Sequence, residues 1–156
     1  MITFTADEIF EMAVQIEHNG AAFYRKAAAF LPAARTILDK LAAMEDDHER
    51  TFSAMRAALT DQERTPLTAD PDNQAAQYLK AMADGRVFTG DPKDVLTGKE
   101  TLREVLLLAI TKEKDSIVFY QSMKDVVPRS AGTARIDEII RQEIGHILQL
   151  TKEMPR

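Results

Sequence analysis

The sequence predicts an all-α protein, a bundle of four long helices, on three observations. Alanine, leucine, glutamate, lysine and methionine are plentiful. Only six glycines and six prolines interrupt 156 residues. Apolar residues recur at intervals of three and four, the spacing of one helix face, and strand signals are absent.

The first helix opens at Thr5, where "TADE" places Glu8 three residues after an N-cap, and runs until Leu31 and Pro32 interrupt it. The second is expected from about Pro32 to Leu59. From Thr60 to Leu96 come Pro66, Pro71, Gly85, Gly90 and Pro92. That stretch reads as a long connection holding one short helix, "DPDNQAAQYLKAMADG", capped by Asp70, started by Pro71 and ended by Gly85. The third helix is expected to begin at "TGKE", with Thr97 and Glu100 at capping-box spacing, and to continue to about Val127 before Pro128. The fourth runs from about Ser130 to Lys152. Short links make each pair of helices antiparallel neighbours. The long connection is expected to act as a crossover that returns the chain from the end of helix 2 to begin helix 3 at the same end of the bundle.

A chain of this length fits a single domain, residues 1–156, with a core that needs no staples. The absence of cysteine rules out disulfides, thiolate metal sites, iron-sulfur clusters and a catalytic thiol, so any metal chemistry must use carboxylates and imidazoles. The net charge is -5, with both signs interspersed, which leaves no basic stripe for nucleic acid. The start "MITFTADEIF" lacks a basic segment followed by an apolar one, and the apolar run "VLLLAI" is too short to span a bilayer. A cytoplasmic protein without membrane or nucleic-acid partners is expected.

Against this apolar patterning, "RQEIGHILQL" sets Glu143 and His146 among Ile139, Ile140, Ile147 and Leu150. Charged groups are almost never fully buried without a partner. An internal repeat accounts for them. "EHNGAAFY" in the first helix matches "EKDSIVFY" in the third, aligning Glu17, Phe23 and Tyr24 with Glu113, Phe119 and Tyr120. "EDDH" in the second matches "EIGH" in the fourth, aligning Glu45 and His48 with Glu143 and His146. The chain reads as a duplicated helical hairpin.

Residues three apart share a helix face, so each Glu-x-x-His can point both side chains at one place in the interior. A lone Glu-x-x-His usually lies on a solvated face. Two copies, each preceded by a Glu on an apolar stripe, bring four carboxylates and two imidazoles together. Unpaired, these carboxylates would cost several kcal/mol each, roughly, and their repulsion would raise some pKa values. Two divalent cations would cancel the charge, so Glu17, Glu45, His48, Glu113, Glu143 and His146 are the candidate metal ligands. Tyr24 and Tyr120, two turns beyond a glutamate on the same face, are placed either to donate to a ligand carboxylate or simply to fill the core. Phe23, Phe119 and the methionines at 12, 44, 55, 82 and 123 read as core, and His18 as surface. One of Asp46, Asp47, Glu49 and Asp115 could accept a hydrogen bond from a ligand histidine.

Together, "AVQIEHNGAAFYRKAA", "LAAMEDDHER", "QYLKAMADGRVF", "LLLAITKEKDSIVFY" and "IIRQEIGHILQL" resemble the rubrerythrin family of the ferritin-like superfamily. One Glu from each of two helices plus Glu-x-x-His from each of the other two is the ligand pattern of ferritin-like di-iron and di-manganese bundles. The resemblance implies a ferritin-like four-helix bundle with two iron ions on the six residues named, some glutamates bridging and others terminal. It also implies reaction with O2 or hydrogen peroxide, or iron handling. Manganese or a mixed pair would suit the same ligands, and recombinant protein could capture zinc. Two features depart from the family. No cysteine supplies a rubredoxin site, so an external electron donor is required if one is used, and Ser116 stands where a further glutamate is usual. The expected activity is that of a peroxide reductase or ferroxidase. The alternatives are iron binding or delivery without turnover, and a metal-free structural bundle. A homodimer is expected.

Overall fold

The computed structural model describes residues 4–66, 74–82 and 95–156. Five α-helices occur among them, with no β-strand: α1 (Ala6–Phe30), α2 (Arg35–Ala57), the short α3 (Gln74–Ala81), α4 (Leu102–Val126) and α5 (Thr133–Lys152). None is long and apolar enough to cross a membrane.

Helix α1 begins as its sequence dictates. The Glu8 amide donates to Thr5 Oγ1 at 3.2 Å and the Thr5 amide donates to Glu8 Oε2 at 2.8 Å, pairing two amides that the helix cannot satisfy itself. Pro32 then forces a break, but the next α-helix does not start there. Pro32–Ala34 forms one tight 3-10 turn before α2 sets off at Arg35.

Helix α4 begins later than the sequence suggested. Thr97 N and Oγ1 both donate to Glu100 Oε1, but the amide that donates back to Thr97 Oγ1 is that of Lys99, not Glu100, and the residues close an isolated turn, because Gly98 sits at φ 86°, outside the helical region. The helix is capped by the next box, Thr101 with Glu104. At the start of α5, Gly132 at φ 98° likewise turns the chain, so the helix opens at Thr133 after a 3-10 turn at Arg129–Ala131, not at Ser130. Of the short crossover helix, Gln74–Ala81 is described; Asp70, Pro71 and Gly85 lie outside the described residues.

Thr5 bridges Pro66, so α1 starts at the end of the bundle where α2 stops. At the other end, Lys26 donates to the Leu96 carbonyl, placing the start of α4 beside the end of α1. The connection therefore carries the chain along the length of the bundle instead of returning it to the end where α2 stops, and α4 runs antiparallel to α1.

The apolar core falls into two clusters. One holds Ile9, Phe10, Phe52, Phe119, Tyr120 and Met123, and the other holds Phe23, Leu38, Leu41, Leu106, Ala109 and Leu150. Between them lies a belt of buried polar residues. Phe23 and Phe119 are core, as are Met55, Met82 and Met123, whereas Met12 and Met44 are half-buried.

Candidate metal centre

Each helix of the bundle sends polar side chains into that belt. Glu17 comes from α1, Glu45 and His48 from α2, Glu113 from α4, and Glu143 and His146 from α5, all at most 3% exposed. The i, i+3 spacing brings each Glu-His pair onto the inner face, with an apolar cluster on either side.

The atoms divide into two sets. Glu17, Glu45, His48 and Glu143 offer ligand atoms within 4.8 Å of one another, as do Glu45, Glu113, Glu143 and His146. His48 Nδ1 lies 3.4 Å from Glu17 Oε2, 3.4 Å from Glu45 Oε2 and 3.3 Å from Glu143 Oε1. His146 Nδ1 lies 3.4 Å from Glu45 Oε1, 3.4 Å from Glu113 Oε1 and 2.8 Å from Glu143 Oε2. Glu45 and Glu143 thus direct one oxygen to each set, while Glu17 and Glu113 serve one set each. The two imidazoles stack with centroids 5.6 Å apart.

Close as these atoms are, they do not satisfy one another by hydrogen bonding. His48 Nδ1, His146 Nδ1 and both Glu143 oxygens are buried without a hydrogen-bond partner; even the 2.8 Å contact lacks the alignment. Orphaned donors and acceptors this deep are costly. Six nitrogen and oxygen ligands shared between two positions fit a two-metal centre.

The electrostatics point the same way. Burial, then the charges of Glu143 and Glu45, pushes the Glu17 carboxyl well above the usual range, and the same causes raise Glu113. Burial also pushes Glu45 upward, but Glu17 and the two imidazoles outweigh it and hold it low; burial and the Glu45 charge push Glu143 upward, and the two imidazoles outweigh them. For His146, burial disfavours the charged form, yet Glu113, Glu143 and Glu45 raise it to about 12, and His48 is raised by Glu143, Glu17 and Glu45. Without metal, protons on Glu17, Glu113 and both imidazoles balance the charge.

Of the two roles open to the tyrosines, the structure shows the donor role. Each points across to the opposite hairpin: Tyr24 Oη donates to Glu113 Oε1 and Tyr120 Oη to Glu17 Oε1. Antiparallel α1 and α4 place each phenol beside the other helix's glutamate. Burial and the adjacent carboxylates hold both phenols protonated, with pKa values well above the usual 10.0.

His18 is exposed, 3.4 Å from Glu49. Asp46 pairs with Arg25 and Asp47 with Arg50. The acceptor beside a ligand histidine is a residue the sequence did not single out. Gln142 Oε1 lies 2.6 Å from His48 Nε2, across the gap between α2 and α5. A glutamine next to a ligand glutamate carries no periodicity signal.

A cavity of about 30 Å³ reaches the centre between α1 and α4, lined by Glu17, Gly20, Tyr24, Glu45, Glu113 and Ser116 among others. A Cβ on Gly20 would stand 3.4 Å from Glu45 Cγ, in van der Waals contact, so Glu45 lies close against α1. At the cavity edge the Lys112 ammonium sits 5.3 Å from the Phe23 ring centroid.

A helical bundle with four carboxylates and two imidazoles in its middle defines a metal-carboxylate protein. The chain belongs to the Rubrerythrin family, whose profile matches residues 8–154. It is also similar to a crystal structure from Thermotoga maritima, provisionally assigned as a ferritin-like diiron-carboxylate protein, at 25% identity and a TM-score of 0.71, over 97% of this chain and 95% of that one. No curated protein matches significantly. The fold is that of a ferritin-like bundle, and its 156 residues include no rubredoxin cysteines.

Proposed function

We propose that this chain is a di-iron carboxylate protein that reacts with hydrogen peroxide or O2, with Glu45 and Glu143 bridging the metals and Glu17, Glu113, His48 and His146 as terminal ligands. One observation carries the reading: two buried carboxylate-imidazole sets share Glu45 and Glu143, and their Nδ1 atoms have no hydrogen-bond partner. Two ferrous ions held there would supply the two electrons that, with two protons, convert hydrogen peroxide to two waters.

The chain's own residues provide the setting. Tyr24 and Tyr120 hold Glu113 and Glu17 in orientation, and the flanking apolar clusters keep the centre dry. The cavity beside Gly20 and Ser116 has room for about one water-sized molecule, which suits O2 or peroxide better than a bulky hydroperoxide. Electrons for repeated turnover would come from an external donor.

Anaerobic loading with Fe(II), followed by peroxide or O2 in stopped-flow absorbance, is expected to give an iron-dependent band with consumption of the oxidant. Loaded protein that gives neither overturns the reading. Ser116 favours a second reading, iron binding or delivery, because this buried position beside Glu113 and Glu45 lacks a carboxylate. Loaded protein that passes Fe(II) to a chelator without consuming peroxide would favour it. A homodimer is part of the proposal, since Leu107, Val118, Ile144 and Leu148 are 46–59% exposed on α4 and α5. Light scattering that returns the mass of one chain would exclude it.

A further inference from the structure

We propose that Gln142 is a positioning residue that makes the two metal positions unequal, so that the one formed by Glu17, Glu45, His48 and Glu143 fills first. This rests on the two-metal reading above and goes beyond it, since neither the ligand pattern nor the fold distinguishes the positions.

The histidines face the centre alike. Each presents Nδ1 to three carboxylates. A metal on Nδ1 requires that nitrogen to be free of a proton. The neutral ring then carries its proton on Nε2, where it needs an acceptor.

For His48 the acceptor is in place, as Gln142 Oε1 lies 2.6 Å from Nε2. For His146 there is none, because its Nε2 is buried without a hydrogen-bond partner. Holding His146 as a metal ligand therefore leaves a buried N–H unpaired, whereas holding His48 does not. The ring that is already oriented and in the right tautomer loses less on binding.

The duplication supplies an internal control. Glu45 and Glu143 are counterparts, as are His48 and His146, so Gln142, just before Glu143, corresponds to Met44, just before Glu45. A thioether is a weak acceptor. The two halves thus share the inner ligands, while one hairpin carries an acceptor that the other lacks. Gln142 and His48 also line an opening with Asp47, Arg135 and Glu138, so a replacement must fill the space to keep water from taking over the role. Methionine does so and reproduces the other hairpin's residue.

Co(II) titration of the apo protein, followed by calorimetry and visible absorbance, is the test. Wild-type protein is expected to bind two Co(II) per chain in steps about tenfold or more apart. Gln142→Met should weaken the tighter step by roughly 10- to 100-fold with little change in the weaker one. Gln142→Glu, which keeps an acceptor, should restore most of the loss. Met44→Gln should tighten the weaker step, and it keeps the proposal testable should Gln142→Met fold poorly. Thermal melting of each apo variant separates positioning from a fold defect, since a positioning role leaves the apo melting temperature near wild type. Two bound Co(II) whose affinities are the same in wild type and Gln142→Met overturn this proposal alone. Wild-type protein that binds no Co(II) overturns the metal centre as well.

Discussion

The hairpin of α1 and α2 and the hairpin of α4 and α5 match inside the bundle and differ outside it. Inside, glutamate, tyrosine and histidine recur at equivalent places, and each tyrosine crosses to the other hairpin's glutamate. Outside, Leu107, Val118, Ile144 and Leu148 of the second hairpin stand where the first has Glu11, Ala22, Asp46 and Arg50. Asp46 is paired with Arg25, whereas the four apolar side chains remain exposed. A shared centre demands the same ligand from both halves, while the outer faces are free to differ, charged in one and apolar in the other.

The largest effect expected on this comparison comes from the residues that belong to both positions. Glu45→Ala or Glu143→Ala removes an oxygen from each set, so equilibrium dialysis followed by elemental analysis should find both metals depleted. Glu17→Ala or Glu113→Ala touches one set and should leave the other filled. Equal depletion by all four variants would reject the bridging assignment.

Next in size is the response to pH. In the apo centre, His48 and His146 have folded pKa values above their unfolded value of 6.5. Their stabilisation is therefore complete below pH 6.5 and is lost as pH rises toward the folded value, about 12 for His146. Glu17 and Glu113, raised above 4.5, act in the same sense. Glu45 and Glu143 are lowered, so their contribution is lost only in acid. Apo protein should melt at a lower temperature at about pH 9 than at about pH 6. Metal displaces those protons, so its stabilisation should grow over the same range, reaching roughly 5–10 °C at a free metal concentration a hundredfold above Kd. A metal-induced shift that shrinks with rising pH contradicts this proton balance.

How much of this was legible in the sequence depended on what carries a period. The six candidate ligands were, because Glu-x5-Phe-Tyr and Glu-x-x-His repeat and a charge on an apolar stripe is conspicuous. The tyrosine partners were not, since they depend on which helices lie antiparallel side by side. Gln142 was invisible for a related reason: it acts across the gap to α2 and has no copy. The start of α4 is legible only through the repeat. Thr97-Glu100 and Thr101-Glu104 both have capping-box spacing, and the repeat separates them, because Thr5 and Thr101 are as far apart as Glu17 and Glu113.

The crossed tyrosines come next. Tyr24→Phe leaves Glu113 Oε1 without its buried donor, and Tyr120→Phe does the same to Glu17. Each should lower apo stability by about 1–3 kcal/mol in urea denaturation. Because the two bonds are counterparts, the losses should be similar. A large loss from only one would show that the halves are unequal at this level too.

The smallest effect separates a repeated cap from an unrepeated one. Thr101→Ala leaves the Glu104 amide without its side-chain acceptor at the head of α4, as Thr5→Ala does for Glu8 at the head of α1. Each should cost about 1 kcal/mol. Thr97→Ala removes a hydroxyl that accepts from the Lys99 amide and donates to Glu100, but on an exposed turn that leads into no helix, so its loss should stay within roughly 0.5 kcal/mol. Urea denaturation of the three variants under one condition compares them directly. If Thr97→Ala were the costlier change on α4, helix formation would begin at the earlier box, and the match between the two hairpins would extend only to their interiors, not to the points at which α1 and α4 start.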